Sequence, residues 1–238
     1  MVKINSELCI GCGNCLFICP VNAIKFRDKK AYIDQDFCVE CMVCLRARVC
    51  EERAIKSQKL EMPRLIRNPF SDVVATHKLT GVGGRGTEEM KTNDVTDRFK
   101  PGEIGFSIEI GRPGAGCCLD ALELFTVTLS EIGVEFEKDS PVTALIIDEK
   151  GHIRGDIKNE RILSAIIEFK INSPQKAIEV LNLIKKVDKI IDTVFSVGIV
   201  SRFEDGEIPV LDLITDQDFS VRPNAKINVG LGKIKEGV

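Results

Sequence analysis

Apolar and polar positions alternate over Ile104–Ile110, where Ile104, Phe106, Ile108 and Ile110 share one face. That period of two predicts a strand. Residues 120–132 change period: Leu122, Phe125, Leu129 and Ile132 recur at helical spacing, and Gly133 stops the run. Residues 142–147 and 162–171 read as two further strands. Ser173-Pro174 predicts a helix start, a capping residue followed by proline at the first helical position. That helix runs to about Val187, with Ala177, Val180, Leu181, Ile184 and Val187 inward. Residues 193–203 read as a closing strand. The order is β-α-β-β-α-β, an α+β sandwich spanning residues 101–205. Beyond it, residues 206–238 carry short apolar runs at 210–214 and 227–231 without a helical period. They predict an extended arm.

Residues 1–60 show neither period and hold eight of the ten cysteines. The first run is Cys9-x2-Cys12-x2-Cys15-x3-Cys19-Pro20, and the second is Cys38-x2-Cys41-x2-Cys44-x5-Cys50. A C-x2-C-x2-C-x3-C-P run is a bacterial iron–sulfur ligand pattern, whose fourth cysteine crosses to the other cluster. Applied here, Cys9, Cys12, Cys15 and Cys50 hold one [4Fe–4S] cluster, and Cys38, Cys41, Cys44 and Cys19 hold the other. Gly11 and Gly13 suit the first ligand turn, because glycine lets backbone come close. Thiolates also bind zinc, but structural zinc motifs usually place two separated pairs rather than triplets.

On these residues, 1–60 resembles a bacterial-type 2[4Fe–4S] ferredoxin domain. An internal repeat supports the likeness: Cys19-Pro20-Val21-Asn22-Ala23-Ile24 matches Cys50-Glu51-Glu52-Arg53-Ala54-Ile55. The resemblance implies pseudo-twofold symmetry, two short helices and two small hairpins. Two departures stand out: five residues rather than three precede Cys50, and Glu51 replaces the usual proline. A longer helical turn between Cys44 and Cys50 accommodates the first. The order of elements in the C-terminal half is that of a ferredoxin-like sandwich, weakly similar to ACT-type regulatory modules. That topological name says nothing about clusters.

Charge and composition narrow the function. Residues 1–60 contain 10 Lys/Arg and 7 Asp/Glu, so the segment is positive before clusters are added. Two oxidised cubes would bring that segment near neutral, which predicts modest electrostatic steering by it, while the whole chain has a formal charge of −3. Tryptophan is absent and Tyr32 is the single tyrosine, which argues against a base-stacking nucleic-acid surface. No apolar run approaches the ~18 residues of a membrane span. Residues 1–8 have no apolar core of a signal peptide. The expected setting is a reducing, anaerobic cytoplasm, with disulfides disfavoured.

Residues 61–100 read as a connector with a glycine-rich centre, Gly81-Val82-Gly83-Gly84-Arg85-Gly86-Thr87. It is either a structural loop or an anion nest, and it matches no P-loop. Arg46 and Arg48, inside the second ligand run, are either solvated or act on a cluster or an acidic partner. Cys117 and Cys118 precede a predicted helix. They are either small packing residues or a site of activated thiolate near Arg112. His77 and His152 read as surface or loop residues. The expected role is an electron carrier or reservoir with redox partner proteins and a C-terminal domain for homo-oligomerisation or docking. The two segments are expected to fold independently. Two alternatives remain: the iron–sulfur subunit of an anaerobic oxidoreductase complex, with a substrate or anion site near Arg85, Arg112 and Cys117, or a redox-responsive regulator.

Overall fold

In the computed structural model, the described residues are 1–83, 99–112, 114–202, 207–208, 210–216 and 221. The N-terminal segment is built from two small antiparallel pairs. Strand β1 (Val2–Ile4) is the first of them. Strands β2 (Ile24–Arg27) and β3 (Lys30–Ile33) form a hairpin in register Ile24↔Ile33. Its two-residue loop, Asp28-Lys29, has φ of 51° and 64°. Two left-handed residues give the loop a twist that matches the flanking strands. A short helix α1 (Val43–Arg46) follows, and β4 (Ile55–Ser57) then closes on β1 in register Ile4↔Ile55. Val2, Val21, Ala23, Ile24, Ala31, Ile33, Val39 and Ile55 form the small core between them, with Cys15 and Cys41.

The C-terminal body has a separate, larger core. Strand β5 (Ile104–Ile110) forms over the alternating residues, with Phe106, Ile108 and Ile110 fully buried. A two-residue strand β6 (Cys117–Cys118) leads into α2 (Leu119–Ser130), whose Leu122, Phe125 and Leu129 face the core. Strand β7 (Glu135–Phe136) follows, then β8 (Arg161–Ile162), β9 (Ala165–Ile171), α3 (Pro174–Asp188) and β10 (Phe195–Ser201). Strands β10, β5, β9 and β7 lie side by side in that order, all antiparallel. Phe106 and Phe169 stack across β5 and β9 with ring centroids 5.2 Å apart. Ser173 caps α3, its hydroxyl accepting from the Lys176 amide at 3.3 Å.

Several expectations need correction. Residues 142–147 do not form a strand. A 3-10 turn at Thr143–Leu145 buries Val142 and Leu145, and only the bridge Ile146↔Ile153 remains. The sheet position expected there belongs to β7. The expected strand 162–171 is broken at Leu163–Ser164, where two amides turn to the connector. The Leu163 amide donates to Ser71 Oγ at 2.9 Å and the Ser164 amide to Phe70 O at 3.4 Å. Residues 211–216 are not extended: they form helix α4 (Leu211–Asp216), with Val210 and Ile214 packed into the core. The later apolar run at 227–231 lies outside the described residues.

The connector is also more than a tether. A 3-10 turn at Arg64–Arg67 carries Ile66 and, beyond it, Phe70 into the C-terminal core. His77 is buried at 5% exposure, edge-on to Phe70 with centroids 6.1 Å apart, rather than lying on the surface. His152 is a loop residue, its Nδ1 2.8 Å from Asp148.

Candidate metal centres

Two ligand loops share one backbone plan. In the first, Gly11 and Gly13 have φ of 75° and 85°. At the matching positions of the second loop, Glu40 and Met42 have φ of 56° and 59°. Left-handed backbone costs a non-glycine residue about 1–2 kcal/mol. The second loop therefore holds two strained residues where the first has glycines. Gly11 admits no side chain, because a Cβ there would lie 2.1 Å from Lys29 O. At Glu40 the side chain is fully buried instead and bonded on several sides.

The loops surround two cavities. Cys9, Cys12, Cys15 and Cys50 line one, and Cys19, Cys38, Cys41 and Cys44 line the other. Each cavity takes three thiols from one run and the fourth from the other. The two extra residues before Cys50 are absorbed where α1 ends, with Arg48 in a left-handed turn at φ 50°. The repeat then resumes in close detail. The Ala23 amide donates to Cys19 Sγ at 3.1 Å, and the Ala54 amide to Cys50 Sγ at 3.2 Å. Asn22 and Arg53 are both left-handed, at φ 53° and 50°.

Four soft thiols around each cavity fit an iron–sulfur cube. Val2, Val21, Ile24, Ile33 and Val39 wall the second cavity with apolar surface. Among the described residues no three His, Cys, Asp or Glu side chains converge on a point for a single ion. A cube by contrast spreads its thiolates over four irons. Burial pushes the Cys44 thiol up to about 12 and Cys38 up to about 11, the latter helped by the nearby Glu40 charge. Burial also raises Cys15 and Cys41. In the metal-free chain these groups are thiols at neutral pH, so metal loading has to displace their protons.

The cavities differ in what surrounds them. The first is open: Cys12 is exposed, as are Ile10, Glu51 and Glu52 on its rim. Phe17, between Cys15 and Cys19, is 93% exposed. The second is clamped from the connector. Arg64 donates to Glu40 Oε1 at 2.6 Å, to Gln35 O at 2.9 Å and to Gln35 Oε1 at 2.7 Å. Arg67 donates to Cys38 O at 2.7 Å and pairs with Glu160 of the C-terminal body. Asn68 donates to Glu40 O at 3.0 Å. Arg46 donates to Asp72 at 2.6 Å and to Cys41 O at 2.7 Å, with its side chain still partly exposed. Sequence reasoning missed Glu40, Arg64, Arg67, Asn68 and Asp72. The spacing Arg64-x2-Arg67-Asn68 is a faint signal on its own.

The second candidate site does not assemble as an activated thiol. Cys117 is 2% exposed, in β6, and burial drives its thiol up to about 12. That fits the packing alternative, and is the opposite of the lowered thiol that a helix start would favour. Cys118 occupies the N-cap position of α2 without a side-chain capping bond. Arg112 pairs with Glu109 at 3.4 Å. Arg85 and most of the glycine-rich loop lie outside the described residues.

Residues 2–25 match the 4Fe-4S binding domain family. The Ferredoxin-like protein in nif region of Sinorhizobium fredii is 40% identical over 20% of this chain and 75% of its own length. Pyruvate synthase subunit PorD of Methanothermobacter marburgensis is 38% identical over 24% of this chain and 63% of its own. One subunit of the H(2):CoB-CoM heterodisulfide,ferredoxin reductase of the same organism is 35% identical over 22% of this chain. The chain spans about a tenth of that subunit's length. No solved structure matches the chain significantly. Through its N-terminal segment the chain belongs to the 4Fe–4S ferredoxin family. Among the described residues, no helix is long and apolar enough to cross a membrane.

Proposed function

We propose that the chain carries or stores low-potential electrons through two [4Fe–4S] clusters. Cys9, Cys12, Cys15 and Cys50 hold one, and Cys19, Cys38, Cys41 and Cys44 hold the other. The observation that supports this is the division of eight thiols between two cavities, each filled crosswise from both runs. Each cube, when bound, takes up and releases one electron at a time. In the anaerobic cytoplasm that free thiols favour, redox partner proteins load and unload them. Cys50→Ala tests the ligand sets: the first cluster's electron paramagnetic resonance signal is lost and the second's remains. An unchanged spectrum contradicts the assignment.

The C-terminal body is a βαββαβ sandwich in this reading, supported by the strand order β10-β5-β9-β7 with a helix after β5 and after β9. It serves docking or homo-oligomerisation, since β10 and β7 end the described sheet and edges invite pairing. Light scattering checks this: a 26.3 kDa particle at micromolar concentration contradicts it.

A second reading is favoured by two relatives that are named as subunits, of a pyruvate synthase and of a heterodisulfide reductase. In it the chain is the iron–sulfur subunit of a larger oxidoreductase. The buried Cys117 gives no support to a substrate site there.

A further inference from the structure

We propose that Arg67 and Arg46, fixed by Glu160 and Asp72, set the reduction potential of the cluster in the second cavity. The connector and the C-terminal body thereby tune one of the two clusters and leave the other alone. This rests on the two-cluster reading above.

The loop that lines the second cavity has three backbone carbonyls held by side chains, two of them from the connector and one from α1. Cys38 O accepts from Arg67 at 2.7 Å, Glu40 O from Asn68 at 3.0 Å, and Cys41 O from Arg46 at 2.7 Å. Two of these carbonyls belong to cysteines that line the cavity. On the side of the first loop, the Lys30 ammonium reaches Ser6 O at 2.6 Å, outside the ligand run 9–15. Cluster potentials follow net charge, hydrogen bonding and solvent exposure. Arg67 is 7% exposed, so salt screens its field little. An electron added to the second cluster meets cations already fixed against the ligand backbone, without reorganisation.

The counter-ions give the inference its sign. Arg67 faces Glu160, 93 residues away in the C-terminal body, and Arg46 faces Asp72 in the connector. Removing a guanidinium charge leaves a carboxylate unbalanced and makes reduction harder. Removing the carboxylate charge leaves a guanidinium unbalanced and makes reduction easier.

The test uses the full chain, loaded anaerobically, with both clusters followed by electron paramagnetic resonance during a redox titration. Cys12→Ser changes the first cluster's signal and so identifies it. Arg67→Gln shifts the second cluster's midpoint to more negative potential and leaves the first in place. Glu160→Gln keeps an acceptor for Arg67 but removes its charge, and shifts the same midpoint to more positive potential. Loosened packing would move both variants one way, so opposite signs separate charge from structure. Arg46→Gln, at a side chain 37% exposed, gives a smaller negative shift and serves if Arg67→Gln fails to load. Shifts of equal sign, no shift, or a shift of the first cluster overturns the proposal with about eight irons still present. Iron near four per chain overturns the underlying reading instead.

Discussion

The Arg64 guanidinium donates to Glu40 across 2.6 Å, and the carboxylate it meets is fully buried beside Cys38 and Cys41. The same carboxylate accepts from the Val2 amide at 3.0 Å, so it ties β1, the second ligand loop and the connector together. Glu40 does this from a left-handed backbone position, strain that its buried bonds offset.

Glu40→Ala therefore removes the charge partner of the Arg64 guanidinium and the acceptor of the buried Val2 amide. Breaking a buried pair from one side costs about 3 kcal/mol or more. Denaturant unfolding of the variant should show a loss of that order. Glu61→Ala, which breaks the exposed Lys59–Glu61 pair at 3.5 Å, should leave stability unchanged. Equal effects from the two would contradict the role given to Glu40.

His77 supplies a pH dependence. Burial lowers its pKa from 6.5, so the folded chain keeps the ring neutral where the unfolded chain protonates it. The unfolded state then binds more protons, and stability falls as pH drops below about 6.5. Thermal melts between pH 7 and pH 5 should show that loss, and His77→Leu should flatten it. A variant with the same slope as the parent would place the titrating group elsewhere.

Cys117 should be chemically silent. With its thiol pushed up to about 12 and its surface closed, iodoacetamide should leave it unmodified in the folded, cluster-loaded protein and label it after denaturation. Peptide mass mapping reads the outcome. Rapid labelling in the native state would restore the activated-thiol reading.

The division of eight cysteines between two cavities was legible because its signal is local: spacing places three thiols in one turn, and the pattern of the run sends the fourth across. Strand β5 was legible to the residue because its alternation meets a buried face. The clamp was not. Arg67 joins groups 29 and 93 residues distant, and nothing in the pattern of a polar connector marks such pairings. Residues 142–147 misled because a 3-10 turn buries Val142 and Leu145 as well as a strand would. Helix α4 is too short to show a period, and it sends Ile214 into the core beside Val210.

In the proposed function this chain holds two cubes, with ligands crossed between its two cysteine runs. Iron and acid-labile sulfide in anaerobically purified protein test it most directly. About eight of each per chain are expected, since a cube carries four irons and four sulfides. Iron near four, or zinc in its place, would contradict it.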